Sequence, residues 1–166
     1  MRALAQELGV PVMTIYNYVA NKDALHELVI NHVLRPVRVP APDAGTWEER
    51  LKQLERDARS AMAALPGLSL DRRGSAEGTR LAEGVMSILA SAGFDDADAA
   101  MAFAALFTFM LGQIDVDVDV VDQRGPAAEA VQSAADATQQ SRDEVFEFGF
   151  DALIEGLKMK LGSRRA

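Results

Sequence analysis

Apolar positions recur with the period of an α-helix in almost every segment of the chain, and with the period of a strand in only one. Leu4, Ala5 and Leu8 predict a short helix over 1–8, stopped by Gly9, a residue suited to a left-handed C-terminal cap. Pro11 opens a second short helix over about 11–18, because proline is tolerated in a first helical turn. Asn21 is a good N-cap for a third helix over 21–34, with Leu25, Leu28, Val29 and Val33 on its apolar face. Pro36, Pro40 and Pro42 then end it and mark a stiff linker over about 35–45.

Thr46-Trp47-Glu48-Glu49 reads as a capping box and launches Trp47, Leu51, Leu54, Ala58, Met62 and Leu65, one stripe of a helix that Pro66-Gly67 stops. The stretch 68–75 is turn-like and polar. A helix over about 76–92 carries Leu81, Val85, Ile88 and Leu89, with Gly93 as its cap. The next, 96–112, is apolar nearly all round through Met101, Phe103, Leu106, Phe107, Phe109 and Met110, so it must be covered on two sides. Residues 114–122 alternate with period two, but nothing elsewhere offers a partner strand, so an extended acidic loop is expected. An alanine-rich helix over 127–139 follows Gly125-Pro126. The last helix, 142–161, places Phe146, Phe150, Leu153, Ile154, Leu157 and Leu161 on one stripe. The fold class is all-α.

Composition narrows the function more than the fold. The chain has 166 residues, 49% hydrophobic and 25% charged, which suits one domain with an appendage and can bury a substantial core. The absence of cysteine excludes disulfides, thiolate metal sites and cysteine nucleophiles, and fits a reducing compartment. No apolar run is long enough for a membrane helix and no charged leader is evident, so a cytoplasmic location with no membrane partner is expected. Charge is uneven. Residues 1–40 hold four basic and three acidic side chains, net +1, while the other 13 basic and 22 acidic residues give the remainder −9. A near-neutral head on an acidic body lets the head approach phosphate while the body stays away.

Ala5, Gly9 and Ile15 have the spacing of a helix-turn-helix: a small residue where two helices cross, a glycine in the turn, and an apolar residue tucking the second helix inward. In that unit the second helix enters the major groove. Its outward residues would be Val12, Met13, Thr14, Asn17 and Tyr18, with Lys22 placed to hold a phosphate. Asparagine can pair with adenine and threonine can offer its hydroxyl or meet a thymine methyl, while Val and Met contact only apolar base surface. The same spacing also fits an ordinary αα-hairpin in a helical core.

The surrounding residues are more specific. Leu4-Ala5-Gln6-Glu7-Leu8-Gly9-Val10, then Thr14-Ile15-Tyr16, then Val19-Ala20-Asn21-Lys22-Asp23-Ala24-Leu25, resemble the DNA-binding domain of the tetracycline-repressor (TetR) family, and Phe146–Leu157 resembles the last helix of many members. The resemblance implies a dimeric, ligand-responsive transcriptional repressor. Carried over by position, it implies that Arg2 and Thr14 are base contacts, that Val12 and Met13 stand at base-reading positions, and that Tyr16 and Lys22 are phosphate anchors. Asn17 and Tyr18 occupy the variable and the usually histidine positions. Members place a further helix ahead of the position of Met1. Without it, Leu4, Leu8, Ile15 and Leu28 are expected to lie exposed. An alternative is a helical small-molecule-binding or scaffold protein that has lost DNA binding through N-terminal truncation.

Other candidate chemistry is sparser. Trp47, Met62, Met86, Phe103, Phe107 and Met110 could line one ligand cavity in the body, though such residues also simply fill cores. Asp115, Asp117, Asp119 and Asp122 start like a calcium loop but lack the glycine and glutamate it requires, and a solvated loop is expected. His26 and His32 fall on opposite faces of the third helix and cannot share an ion; His26 is expected at the surface and His32 near the domain junction. No nucleophile elbow or phosphate loop is present, so no enzyme, metal or cofactor is predicted. The sequence therefore predicts a helix-turn-helix head with its connecting helix over 1–34 and a helical-bundle ligand-binding and dimerisation domain over 46–166. Its partners would be operator DNA, a small-molecule effector and a second copy joined through helices 96–112 and 142–161.

Overall fold

The computed structural model describes residues 1–63, 75–115 and 142–163, and every regular element among them is a helix. These are α1 (Arg2–Glu7), α2 (Val12–Tyr16), α3 (Lys22–Leu34), α4 (Trp47–Ala63), α5 (Ala76–Ala92), α6 (Asp96–Asp115) and α7 (Arg142–Ser163). Leu65, the polar turn apart from Ser75, the acidic alternation from Asp117 to Asp122 and the helix predicted over 127–139 lie outside the described residues. Ile114 and Asp115, expected to begin the acidic loop, still belong to α6. No helix among the described residues is long and apolar enough to cross a membrane.

Local signals position the helix ends. Gly9 takes φ +63° and turns the chain between α1 and α2. Pro11 sits at the N-cap with extended backbone, one residue ahead of the first turn where it was expected, and α2 is shorter than 11–18. Asn21 Oδ1 accepts from Ala24 N at 2.8 Å to start α3. The capping box forms in full, Thr46 N donating to Glu49 Oε2 at 2.8 Å and Glu49 N to Thr46 Oγ1 at 3.3 Å. Ser75 caps α5, and Gly93 closes it at φ +104°.

Two apolar clusters result. A small one joins α1 and α2 through buried Ala5, Ile15 and Val19, with Leu4, Val10, Val12, Ala24 and Leu25 packed around them. A large one takes Leu51, Leu54, Ala58 and Met62 from α4 and Leu81, Val85, Ile88 and Leu89 from α5. To these it adds Ala102, Leu106 and Met110 from α6 and Phe146, Phe150 and Ile154 from α7. α3 belongs to both. Its first half serves the small cluster through Leu25, while Ile30 and Leu34 enter the large one. The single stripe Leu25–Leu28–Val29–Val33 is therefore not what α3 buries: Leu28 is 52% exposed, because two partners grip the helix at successive levels on different sides.

α5 is the centre of the body, in contact with α3, α4 and α6, and α7 docks on α6. Gly84 of α5 gives Val39 of the linker its place, since a Cβ there would strike the valine side chain. Gly149 does the same for Phe109: a Cβ would stand 2.5 Å from its ring. Phe109, Phe146 and Phe150 form a continuous aromatic run with centroid spacings of 5.7 and 5.6 Å. Along the opposite edge of α7, Glu48–Lys158, Lys52–Asp151 and Arg56–Glu147 form an antiparallel ladder to α4. Phe146→Ala is expected to lower unfolding stability by about 3–5 kcal/mol and Gly149→Ala by about 1–3 kcal/mol, both read by chemical denaturation.

Candidate functional site

With only five residues, α2 has one side to bury and one to present. Ile15 turns inward, 7% exposed, with Val12 three positions before it half-buried against the same cluster. Met13, Tyr16 and Asn17 consequently point outward, Thr14 is half-buried between the two sides, and Tyr18, just past the helix, is 83% exposed. Lys22, the first residue of α3, and Arg2, the first of α1, are exposed. Six of the eight residues predicted to meet DNA are thus exposed at the surface of the head, and Val12 and Thr14 are half-buried, Val12 against the small cluster. Of the four apolar residues expected to be uncovered, Leu8 (60%) and Leu28 are exposed, Leu4 is half-buried and Ile15 is buried. Ile15 differs because it is enclosed with Ala5 and Val19 in a cluster that Met1, Leu4, Val10, Val12, Ala24 and Leu25 pack around.

The connection from head to body is held by polar side chains that periodicity did not single out. Arg80 of α5 donates to Val37 O at 2.8 Å and Leu34 O at 3.4 Å, satisfying carbonyls at the C-terminal end of α3. Its Nε donates to Glu77 Oε2 at 2.7 Å, and Glu77 N donates to Asn31 Oδ1 at 2.9 Å. Buried Arg50 donates to Pro40 O and to Ser91 Oγ, pinning the linker to α4 and α5. Beside this junction an open groove of about 430 Å³ is lined by Ala24, Glu27, Leu28, Asn31, His32 and Arg35. His32 is exposed in it, whereas His26, expected at the surface, is half-buried.

The six proposed cavity residues do not converge on one space. Trp47 and Met62 stand fifteen residues apart on α4, about 22 Å at the helical rise. Trp47 meets Phe94 edge-on at 5.7 Å, and Phe103 stacks on Phe107 at 5.6 Å. Met62 and Met110 are buried in the large cluster, and Met86 packs at its margin.

One polar group in the body stands apart. Glu55 lies within the buried arc of α4 with Leu51, Leu54 and Ala58, 6% exposed, and among the described residues its Oε2 has no hydrogen-bond partner. Burial alone pushes its carboxyl from 4.5 to about 7. By contrast the half-buried Glu147 is held below the usual carboxylate range by its hydrogen bonds to Arg56, at 2.6 and 2.7 Å. Sequence reading passed over Glu55; the available signal was an acid inside the arc spanned by Leu51, Leu54, Ala58 and Met62.

Residues 39–127, more than half of the chain, match the family of tetracyclin repressor-like C-terminal domains. The chain belongs to the TetR family. It is 28% identical over 121 residues to an HTH-type transcriptional regulator of Saccharopolyspora erythraea. That match covers 70% of this chain and 51% of the relative, so it spans about half the relative's length. The TetR family protein ActR of Streptomyces coelicolor, solved in complex with actinorhodin, is 30% identical with a TM-score of 0.71, over 98% of this chain and 88% of that one. BioQ, solved with its double-stranded DNA operator, is 25% identical with a TM-score of 0.68, over 94% and 83%. As a member of this family of transcriptional regulators, the chain is not an enzyme.

Between pH 4.5 and about 7, Glu55 in the folded chain retains a proton that the unfolded chain has released. Stability therefore falls as pH rises through that window and levels off above it, a cost of about 3 kcal/mol. Calorimetric melting of Glu55→Gln is expected to remove this decline, leaving the variant more stable than the parent at pH 8 and similar to it at pH 4.

Proposed function

We propose that the chain is an effector-responsive transcriptional repressor that binds operator DNA as a dimer and works in the cytoplasm. The observation that carries this reading is the α1–turn–α2 unit, which turns Met13, Tyr16, Asn17 and Tyr18 outward beside Lys22 and rides on a helix continuous with the body. Met13, Thr14 and Asn17 would meet base edges, with Val12 at their margin and Arg2 alongside. Tyr16 and Lys22 would hold phosphates, and Tyr18 would stand at the rim. Domain roles follow the same division, with DNA reading in 1–34 and effector binding and dimerisation in 46–166. The complexes of ActR with actinorhodin and of BioQ with operator DNA support both halves of the reading.

A dimer through α6 and α7 is supported by what one chain leaves uncovered. α6 buries Ala102, Leu106 and Met110 on one side, but Met101 and Phe107 are exposed on others. α7 leaves Val145, Phe148 and Met159 in a second stripe, Phe148 at 78% exposure. A two-fold pairing of these helices would cover apolar surface that a monomer leaves in water.

Coupling would pass along α3. An effector that favours one arrangement of the body shifts α3 through the Arg80 and Asn31 contacts, and the head spacing follows; the difference in effector affinity between arrangements is the coupling free energy. Gel shift against DNA upstream of the chain's own gene tests the reading. Binding is expected to weaken steeply with salt. Thr14→Ala is expected to cost about 1–3 kcal/mol on that site, and Lys22→Ala to weaken all sequences alike while lowering the salt slope by about one. Absence of a salt-dependent shift from the parent chain would reject it. For the dimer, light scattering is expected to give twice the chain mass, and Phe148→Glu to give a monomer.

A further inference from the structure

α2 has the sequence Val-Met-Thr-Ile-Tyr and is followed by Asn17 and Tyr18, so the side it presents carries no charge. Ile15 is spent on the small cluster and Val12 packs at its edge. Met13, 69% exposed, and the exposed Asn17 stand one turn apart on the outward side. Their four positions span about 6 Å of helix, close to two base-pair steps of a duplex. Asn17 closes α2 through its backbone N–H, which leaves the side-chain amide at the surface. Thr14 lies half-buried beside Met13. Over residues 1–22 the basic side chains are Arg2 and Lys22, which begin α1 and α3 and not α2.

We propose that α2 selects operator half-sites with an A·T core, Met13 packing on a thymine 5-methyl group and Asn17 pairing with an adenine about two base pairs away. In the major groove guanine is read best by a bidentate Arg or Lys, and the cytosine amino group by a carboxylate. α2 offers none of these. The thioether chain of Met13 is flexible and apolar, and it gains by covering a methyl group that only the A·T pair displays. A G·C pair in the same place would set polar base edges against it, stripped of water and without a partner. The amide of Asn17 presents a donor and an acceptor side by side, which match N7 and the amino group of adenine. The methyl of Thr14 extends the surface offered to thymine. Arg2 remains for a guanine outside this core, and Lys22 for a phosphate.

The inference rests on the reading that the head binds operator DNA, and it names the bases that α2 takes there. The test is selection of random duplexes by the full chain, followed by titration of the enriched site. A core of A·T pairs is expected in each half-site. Replacing its thymines by uracil, which removes only the 5-methyl group, is expected to weaken the parent about four-fold for each methyl that Met13 covers. Exchanging the adenine's pair for G·C is expected to weaken it about five-fold or more. Met13→Ala is expected to lose the uracil effect and keep the adenine preference, and Asn17→Ala the reverse, so each variant reports that the other effect still operates on a folded head. A G·C core, indifference of the parent to uracil, or a preference that survives loss of its own side chain or falls with the other's would each overturn the proposal. No enrichment of any duplex would reject the DNA-binding reading together with it, whereas an enriched G·C core would leave that reading standing.

Discussion

Three helices remove one broad face of α5 from water at once, and the rest of the body is arranged to make that possible. Leu81 and Val85 are nearly inaccessible, Ile88 and Leu89 wholly so, and together they occupy more of the circumference than one neighbour can cover. α3, α4 and α6 must therefore all lean on α5, which fixes their mutual directions. Gly84 adds a place where a side chain would obstruct, so the linker can lay Val39 directly on the helix. A segment that reads as a spacer between domains becomes part of the core, with Val37 buried as deeply as many helical residues.

Apolar packing alone would leave carbonyls stranded where α3 ends and the linker turns inward. Arg80 and Arg50 resolve this by donating to Leu34 O, Val37 O and Pro40 O from opposite sides. Both arginines are anchored in the body, so the end of α3 is held by hydrogen bonds as well as by Ile30 and Leu34. Directional contacts of this kind transmit a displacement better than greasy ones, because a carbonyl moved by an ångström loses its donor. In the proposed regulator they make the junction the place where a change in the body reaches the head.

The α4–α7 seam is electrostatically inverted relative to that junction. At the junction Arg50, Arg80 and Glu77 all have partners; in the seam the rim charges are paired, while the buried Glu55 Oε2 has no hydrogen-bond partner among the described residues. The exposed pairs contribute little stability in water, below about 1 kcal/mol each, and serve mainly to set the register of the two helices. That register brings Glu55 level with Phe148 of α7, one position from Gly149.

Helical content, the start of α4, the boundaries of α5 and α7, the capping box and the caps at Gly9, Asn21 and Gly93 were all legible in the residues, because each depends on neighbours within a few positions. The TetR resemblance of residues 2–28 was legible for the same reason, being a local pattern of small, glycine and apolar positions. What depended on more than one partner was not. The buried face of α3 was misjudged because two clusters share the helix. Ile15 was expected to be exposed but is enclosed by Ala5 and Val19, and the cavity residues scattered because fifteen positions of α4 outspan any one pocket. Sequence determined which helices form and where they stop, since capping and periodicity are short-range physics. Only the tertiary structure decided that Glu55 is buried beside Leu51 and Ala58 with its Oε2 lacking a hydrogen-bond partner among the described residues, because burial and pairing are set by what the other helices bring against that face.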